Sequence, residues 1–128
     1  MMDRVDYLGH KILVVEDDLQ NYQLIEFVAG KNNIEVYWAK NGLESIELCK
    51  QHDDFSLILM DVKMPLMDGF EATRKIRVLR PEVPIVMITG FVNQDSLRMA
   101  VAAGCNDYLS KPMGISQLTA VFRKWLVK

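Results

Sequence analysis

Apolar positions in this chain fall into two alternating patterns. Three continuous runs, Ile12 to Val15, Leu57 to Met60 and Ile85 to Ile88, are too short for helices. They read as strands buried on both faces, as in a parallel sheet. Ile34 to Ala39 is a weaker, more polar strand, expected near an edge, and Tyr108 and Leu109 belong to a short fifth strand. Between these runs the apolar residues recur at helical spacing: Leu24, Ile25 and Val28, then Leu43, Ile46 and Cys49, then Phe70, Thr73 and Ile76. Leu97, Ala100 and Val101 continue the series, and Ile115, Leu118, Phe122 and Trp125 form the last stripe. Asn41-Gly42 is a turn or cap signal, Asp68-Gly69 can start a helix, and Gly104 is a C-terminal cap signal. Five strands alternating with five helices predict an α/β domain with a parallel sheet covered on both faces.

Composition narrows the class without naming a chemistry. A length of 128 residues, half hydrophobic and a quarter charged, suits one globular domain. Residues 1–10 read as a leader or linker and 11–128 as the domain. The formal charge of -2 creates no field toward nucleic acid or an anionic membrane, so neither is expected as a direct partner. No apolar run has the length of a membrane span, and the first ten residues lack a signal peptide's apolar stretch. Cys49 and Cys105 lack metal-ligand spacing and are expected to be reduced and buried.

Open parallel sheets bind ligands beyond the carboxyl ends of their strands. Glu16, Asp17 and Asp18 follow the first strand, Asp61 ends the third, Thr89 the fourth, and Lys111-Pro112 comes just after the fifth. Carboxylates gathered there repel one another unless a cation is present, and a hard divalent ion takes oxygen ligands. Glu16-Asp17-Asp18 alone reads equally well as a solvated acidic loop. Asp61 is harder to dismiss, because it directly follows four apolar residues. A lysine, a hydroxyl and a metal around one aspartate fit a phosphoryl group on that aspartate, since phosphoryl transfer needs mainly positioning and charge neutralisation.

The segments ILVVEDD, LILMDVKMPLMDGF, PIVMITG and AAGCNDYLSKP, in that order and spacing, resemble the receiver domains of response regulators and hybrid histidine kinases. The resemblance covers Lys11 to about Leu126. It implies a flavodoxin-like doubly wound sheet of order 2-1-3-4-5, and a non-enzymatic signalling domain that promotes its own phosphorylation and dephosphorylation. It further implies Asp61 as phosphoacceptor, with Lys111 and Thr89 contacting the phosphoryl group. Asp17, Asp61 and the backbone carbonyl of Lys63 would hold Mg2+ (or Mn2+), with Glu16 acting directly or through water. Thr89 and Tyr108 would form a switch, and Lys111-Pro112 a cis peptide. The implied partner is a sensor histidine kinase or a histidine phosphotransfer domain, with room for a phosphorylation-dependent homodimer. The implied location is cytoplasmic, either free or as part of a membrane-anchored hybrid kinase. DLQNYQLIEF and the leader resemble the hybrid-kinase receivers more closely. Cys105 and Asn106 depart from the family's Ala and Asp at a loop expected to be tolerant, and Lys63 and Phe91 flank the site where the attacking water would be gated.

Three rivals are weaker. A flavodoxin-like ligand module would place neutral hydroxyls and amides where Glu16-Asp17-Asp18 stand. A phosphorylation-independent pseudo-receiver would have lost one of Asp17, Asp61, Thr89 or Lys111. An aspartate-nucleophile phosphatase would carry a second aspartate at the position of Lys63.

Overall fold

The structure, a computed structural model, describes residues 7–90 and 92–126. Phe91 and the first six residues of the leader lie outside them. Elements alternate strictly: β1 (Lys11–Val15), α1 (Leu19–Lys31), β2 (Glu35–Ala39), α2 (Gly42–Gln51), β3 (Leu57–Asp61), α3 (Gly69–Leu79), β4 (Ile85–Thr89), α4 (Gln94–Ala103), β5 (Asp107–Ser110) and α5 (Ile115–Trp125). All strands pair in parallel in the order β2-β1-β3-β4-β5. The expected fold class is therefore the observed one.

Strand periodicity divides the core into two layers. Ile12, Val14, Leu57, Leu59, Val86 and Ile88 face α1 and α5. Leu13, Val15, Ile58, Met60, Ile85 and Met87 face α2, α3 and α4. This explains why the central strands are continuous apolar runs: both faces are covered. β2, half-buried and at the edge, is the more polar one.

The starts of α1 to α4 are built from side chains that satisfy free amide groups. Asp18 accepts from Gln20 N at 2.8 Å, Asn41 from Glu44 N at 2.9 Å, and Asp68 from Glu71 N at 2.9 Å. Asn93 and Ser96 form a reciprocal capping box. At the other end of α4, Gly104 adopts φ 105°, the left-handed cap conformation that glycine alone enters without strain.

Helical spacing misplaces three residues. Leu43, Val101 and Ile115 are exposed, at 49%, 73% and 55%. Here α2 approaches the core through Gly42, Ser45 and Cys49, and α4 through Ala100 and Ala103. Small residues allow close packing, and the larger neighbours are left outside.

Tyr7 is 3% exposed and packs into the α1/α5 layer, although the apolar pattern assigns it to the leader. Its N–H donates to Asn32 O at 3.0 Å. Cys49 is buried as expected, but Cys105 is only half-buried. Asn106 also differs from the tolerant loop position expected of it. Its Oδ1 accepts from Ile85 N at 2.8 Å and from Arg77 Nη2 at 2.7 Å, tying the α4–β5 loop to the start of β4.

Candidate functional site

The carboxyl ends of β1, β3, β4 and β5 converge on one cluster. Glu16, Asp17 and Asp61 each bring a carboxylate oxygen within 4.8 Å of the others. Glu16 is fully buried and Asp61 is 2% exposed, while Asp17 faces solvent. Lys111, positioned by the turn after β5, sets its Nζ 3.2 Å from Asp61 Oδ1 and 3.7 Å from Glu16 Oε1. The Lys111-Pro112 peptide is cis.

Three acids and one lysine leave excess negative charge. Burial and the neighbouring Asp61 carboxylate push Glu16 up to about 7. Burial also raises Asp61, opposed chiefly by the Lys111 charge. Glu16 Oε1 is buried without a hydrogen-bond donor, while Glu16 Oε2 accepts from Asp18 N at 3.2 Å. A buried carboxylate oxygen lacking a donor, with two more carboxylates close by, fits a hard divalent cation. Lys63 lies exposed in the loop after β3 and lines a cleft together with Asp17 and Asp68.

Thr89 ends β4, half-buried, and lies beside a small space of about 10 Å3. Met87, Leu97, Ala100 and Tyr108 line the same space. Tyr108 is 43% exposed. The structure thus brings Glu16, Asp17, Asp61 and Lys111 together, and places Thr89 and Tyr108 on the lining of one small space, with Thr89 paired to Ser110 and Tyr108 to Met87 across β4 and β5.

Two residues of this region were not singled out for the site by sequence. Gly69 packs against the backbone of the acid itself: a Cβ there would lie 2.2 Å from Asp61 O. Its N–H donates to Val62 O at 2.8 Å, which closes the β3–α3 loop. Trp38 reaches across from β2, donating from Nε1 to Glu16 O at 2.8 Å. Asp68-Gly69 was readable as a helix start, but its contact with Asp61 had no local signal.

A doubly wound sheet with acids and a lysine at its carboxyl edge defines a class of phosphoacceptor-like signalling domains. The response regulator receiver domain family matches residues 12–123, and the chain belongs to that family. It is a receiver domain of the two-component phosphorelay type. It is 36% identical over 119 residues to hybrid signal transduction histidine kinase M of Dictyostelium discoideum, covering 88% of this chain and 5% of that kinase. The chain thus spans a small part of such a relative's length. The receiver domain of a Pseudomonas aeruginosa sensor histidine kinase, solved with magnesium coordinated in its active-site cleft, superposes with TM-score 0.83 at 31% identity. That match covers 92% of this chain and 98% of the other. The receiver domain of the Saccharomyces cerevisiae response regulator Ssk1, solved with the histidine phosphotransfer protein Ypd1, gives TM-score 0.84 at 31% identity. It covers 91% of this chain and 88% of the other. No helix among the described residues is long and apolar enough to cross a membrane.

Proposed function

We propose that Asp61 accepts a phosphoryl group from a phosphohistidine on a sensor histidine kinase or a histidine phosphotransfer protein. The observation that carries this reading is the buried Asp61 carboxylate with Lys111 Nζ at 3.2 Å and two further acids beside it. A carboxylate oxygen of Asp61 attacks phosphorus, the P–N bond to the donor imidazole breaks, and an acyl phosphate remains. Lys111 places its ammonium where negative charge grows on the transferring group. Thr89 supplies a hydroxyl to the same group once it is attached. Glu16, Asp17, Asp61 and the Lys63 carbonyl would hold Mg2+ (or Mn2+), which when bound neutralises the carboxylates and phosphoryl oxygens.

Phosphorylation is read out through Thr89 and Tyr108. The space between them has room for about one water. An inward turn of Tyr108 therefore requires Thr89 or α4 to move first, which couples the site to the α4–β5–α5 surface. The likeness to a hybrid kinase supports a place in a relay, with residues 11–128 as the acting domain and residues 1–10, apart from the docked Tyr7, as its connection. The domain then serves signalling without being an enzyme in its own right.

The test uses a small phosphodonor such as acetyl phosphate with Mg2+, followed by intact mass. The wild type should gain one phosphoryl group, and Asp61→Asn, nearly isosteric, should fold and gain none. Labelling of the asparagine variant at the wild-type rate would refute the assignment. Amide exchange in α4 that responds to phosphorylation in the wild type but not in Thr89→Ala or Tyr108→Ala checks the switch.

A further inference from the structure

Trp38 occupies an unusual place for an edge-strand aromatic. The parallel register pairs Val14 with Trp38 and Val15 with Ala39, so its indole lies beside the point where β1 ends and the acidic turn begins. Glu16 N donates to Ala39 O at 3.0 Å, the last backbone bond between these strands. Beyond that bond the Glu16 carbonyl points to no strand partner, and Trp38 Nε1 donates to it at 2.8 Å. The next peptide unit is therefore fixed by a side chain.

The indole is itself held. Its ring stacks on Tyr22 of α1, with centroids 4.0 Å apart and planes 5° from parallel. Lys40 Nζ lies 5.1 Å from the centroid of the same ring. Tyr22 is 8% exposed and follows the Asp18 cap by one turn, with its N–H donating to Asp18 O at 3.0 Å. Thus Trp38 touches the first residue of the acidic turn directly, and through Tyr22 it touches the helix that the turn leads into.

We infer that Trp38 is a positioning residue for the cation site, fixing the Glu16–Asp17 peptide so that the carboxylates on either side stay aimed at one point. This rests on the reading of Glu16, Asp17 and Asp61 as that site. The peptide bond is rigid, so fixing its carbonyl fixes the directions of the flanking Cα atoms. Glu16 is additionally confined by its own burial, whereas Asp17 faces solvent. The orientation of Asp17 therefore depends most on the peptide that Trp38 holds. Groups that orient metal ligands typically govern affinity by about 10- to 100-fold. A bond made to the backbone rather than to the carboxylate belongs at the lower end.

The test compares wild type, Trp38→Phe and Trp125→Phe. Phenylalanine retains a ring to stack on Tyr22 but has no N–H. Calorimetric titration with Mg2+ alone should show about 10-fold weaker binding in Trp38→Phe and unchanged binding in Trp125→Phe. With acetyl phosphate, Trp38→Phe should need correspondingly more Mg2+ to reach half-maximal labelling, while the rate at saturating Mg2+ stays at the wild-type value. A merely structural tryptophan would lower the melting temperature and leave the Mg2+ dependence in place, and that result overturns the inference. A second readout leaves the site intact. In Trp125→Phe the emission comes from Trp38, and it should change with Mg2+ and saturate at the calorimetric Kd. Emission that ignores Mg2+ also overturns the inference, even if Trp38→Phe does not fold. A wild type that neither binds Mg2+ nor accepts phosphate would instead refute the function proposed for the site.

Discussion

Replacing Glu16 by glutamine turns the electrostatics of the site into a measurable slope. In chelator, Glu16 is fully buried beside Asp61, and its carboxyl holds a proton up to about 7 against an ordinary value of 4.5. Below 4.5 the acid is neutral in both folded and unfolded chains and costs nothing. As pH rises, the unfolded chain releases its proton first, so the folded state loses stability until pH passes 7. A rise from 4.5 to about 7 corresponds to roughly 3–4 kcal/mol at ~1.4 kcal/mol for each pH unit. Solvent at the mouth of the cluster screens part of this, leaving about 2 kcal/mol. Glutamine does not titrate, so any fixed packing cost it brings is independent of pH. The stability of Glu16→Gln relative to wild type should therefore improve by about 2 kcal/mol between pH 4.5 and pH 8, most of it between 5 and 7. For a chain of this length that is a relative gain in Tm of about 8 °C. Thermal melts of both proteins in chelator, at half-unit pH steps, provide the measurement. Saturating Mg2+ should narrow the gap, because a ligand at 100 times its Kd adds about 2.7 kcal/mol to the form that binds it best. A difference between the two proteins that stays flat from pH 5 to 8 in chelator would refute the reasoning, since it would mean that Glu16 is ionised throughout.

Lys111→Met removes the ammonium 3.2 Å from Asp61 Oδ1; phosphoryl transfer from acetyl phosphate should slow by about 100-fold, with Mg2+ binding by calorimetry retained. Gly69→Ala puts a Cβ 2.2 Å from Asp61 O and 2.9 Å from Val62 Cα, both backbone atoms. It should cost about 3 kcal/mol in urea unfolding and reduce labelling of Asp61, because the strand end carrying the acid has to shift. Asn106→Ala leaves Ile85 N and Arg77 Nη2 without their acceptor; chemical denaturation should show a loss of about 1–3 kcal/mol, with phosphorylation of Asp61 intact.

The sheet was legible because its central strands are buried on both faces, and such strands need no alternation to be recognised. Leu57 to Met60 could hardly be anything else once Asp61 followed. The acids and Lys111 were legible for a related reason. Topology collects strand ends, so knowing the strands is enough to know which residues meet. What stayed hidden depends on shape rather than polarity. Hydropathy ranks Leu43 above Ser45 for burial, yet the serine is buried and the leucine exposed, because the close approach of α2 favours the smaller side chain. Tyr7 lies in a short, mixed polar stretch that gives it no strand or helix pattern, and only packing against the α1/α5 layer made it part of the core. Asn106 looked like an ordinary loop residue. Its two acceptor bonds span 21 and 29 positions in sequence, beyond any local signal.

The same distinction separates the residues proposed to perform the chemistry from those that hold them in place. Asp61 and Lys111 belong to short motifs, because each must follow its own strand directly to reach the edge of the sheet. Trp38 and Gly69 act on the backbone of other elements, through Glu16 O and Asp61 O. Their effect depends on a register 22 residues apart in one case and on the closure of a loop in the other. A carbonyl can be held by any well-placed donor, so many residue types and sequence positions could serve, and no short pattern marks the one that does. The acids also require such supports more than an apolar core does. Three carboxylates within 4.8 Å repel one another, and without a fixed backbone they would relieve that repulsion by turning apart. Holding them together ahead of a cation would lower the ordering cost of binding it, which is where the bond from Trp38 and the tight seat of Gly69 would enter the proposed function.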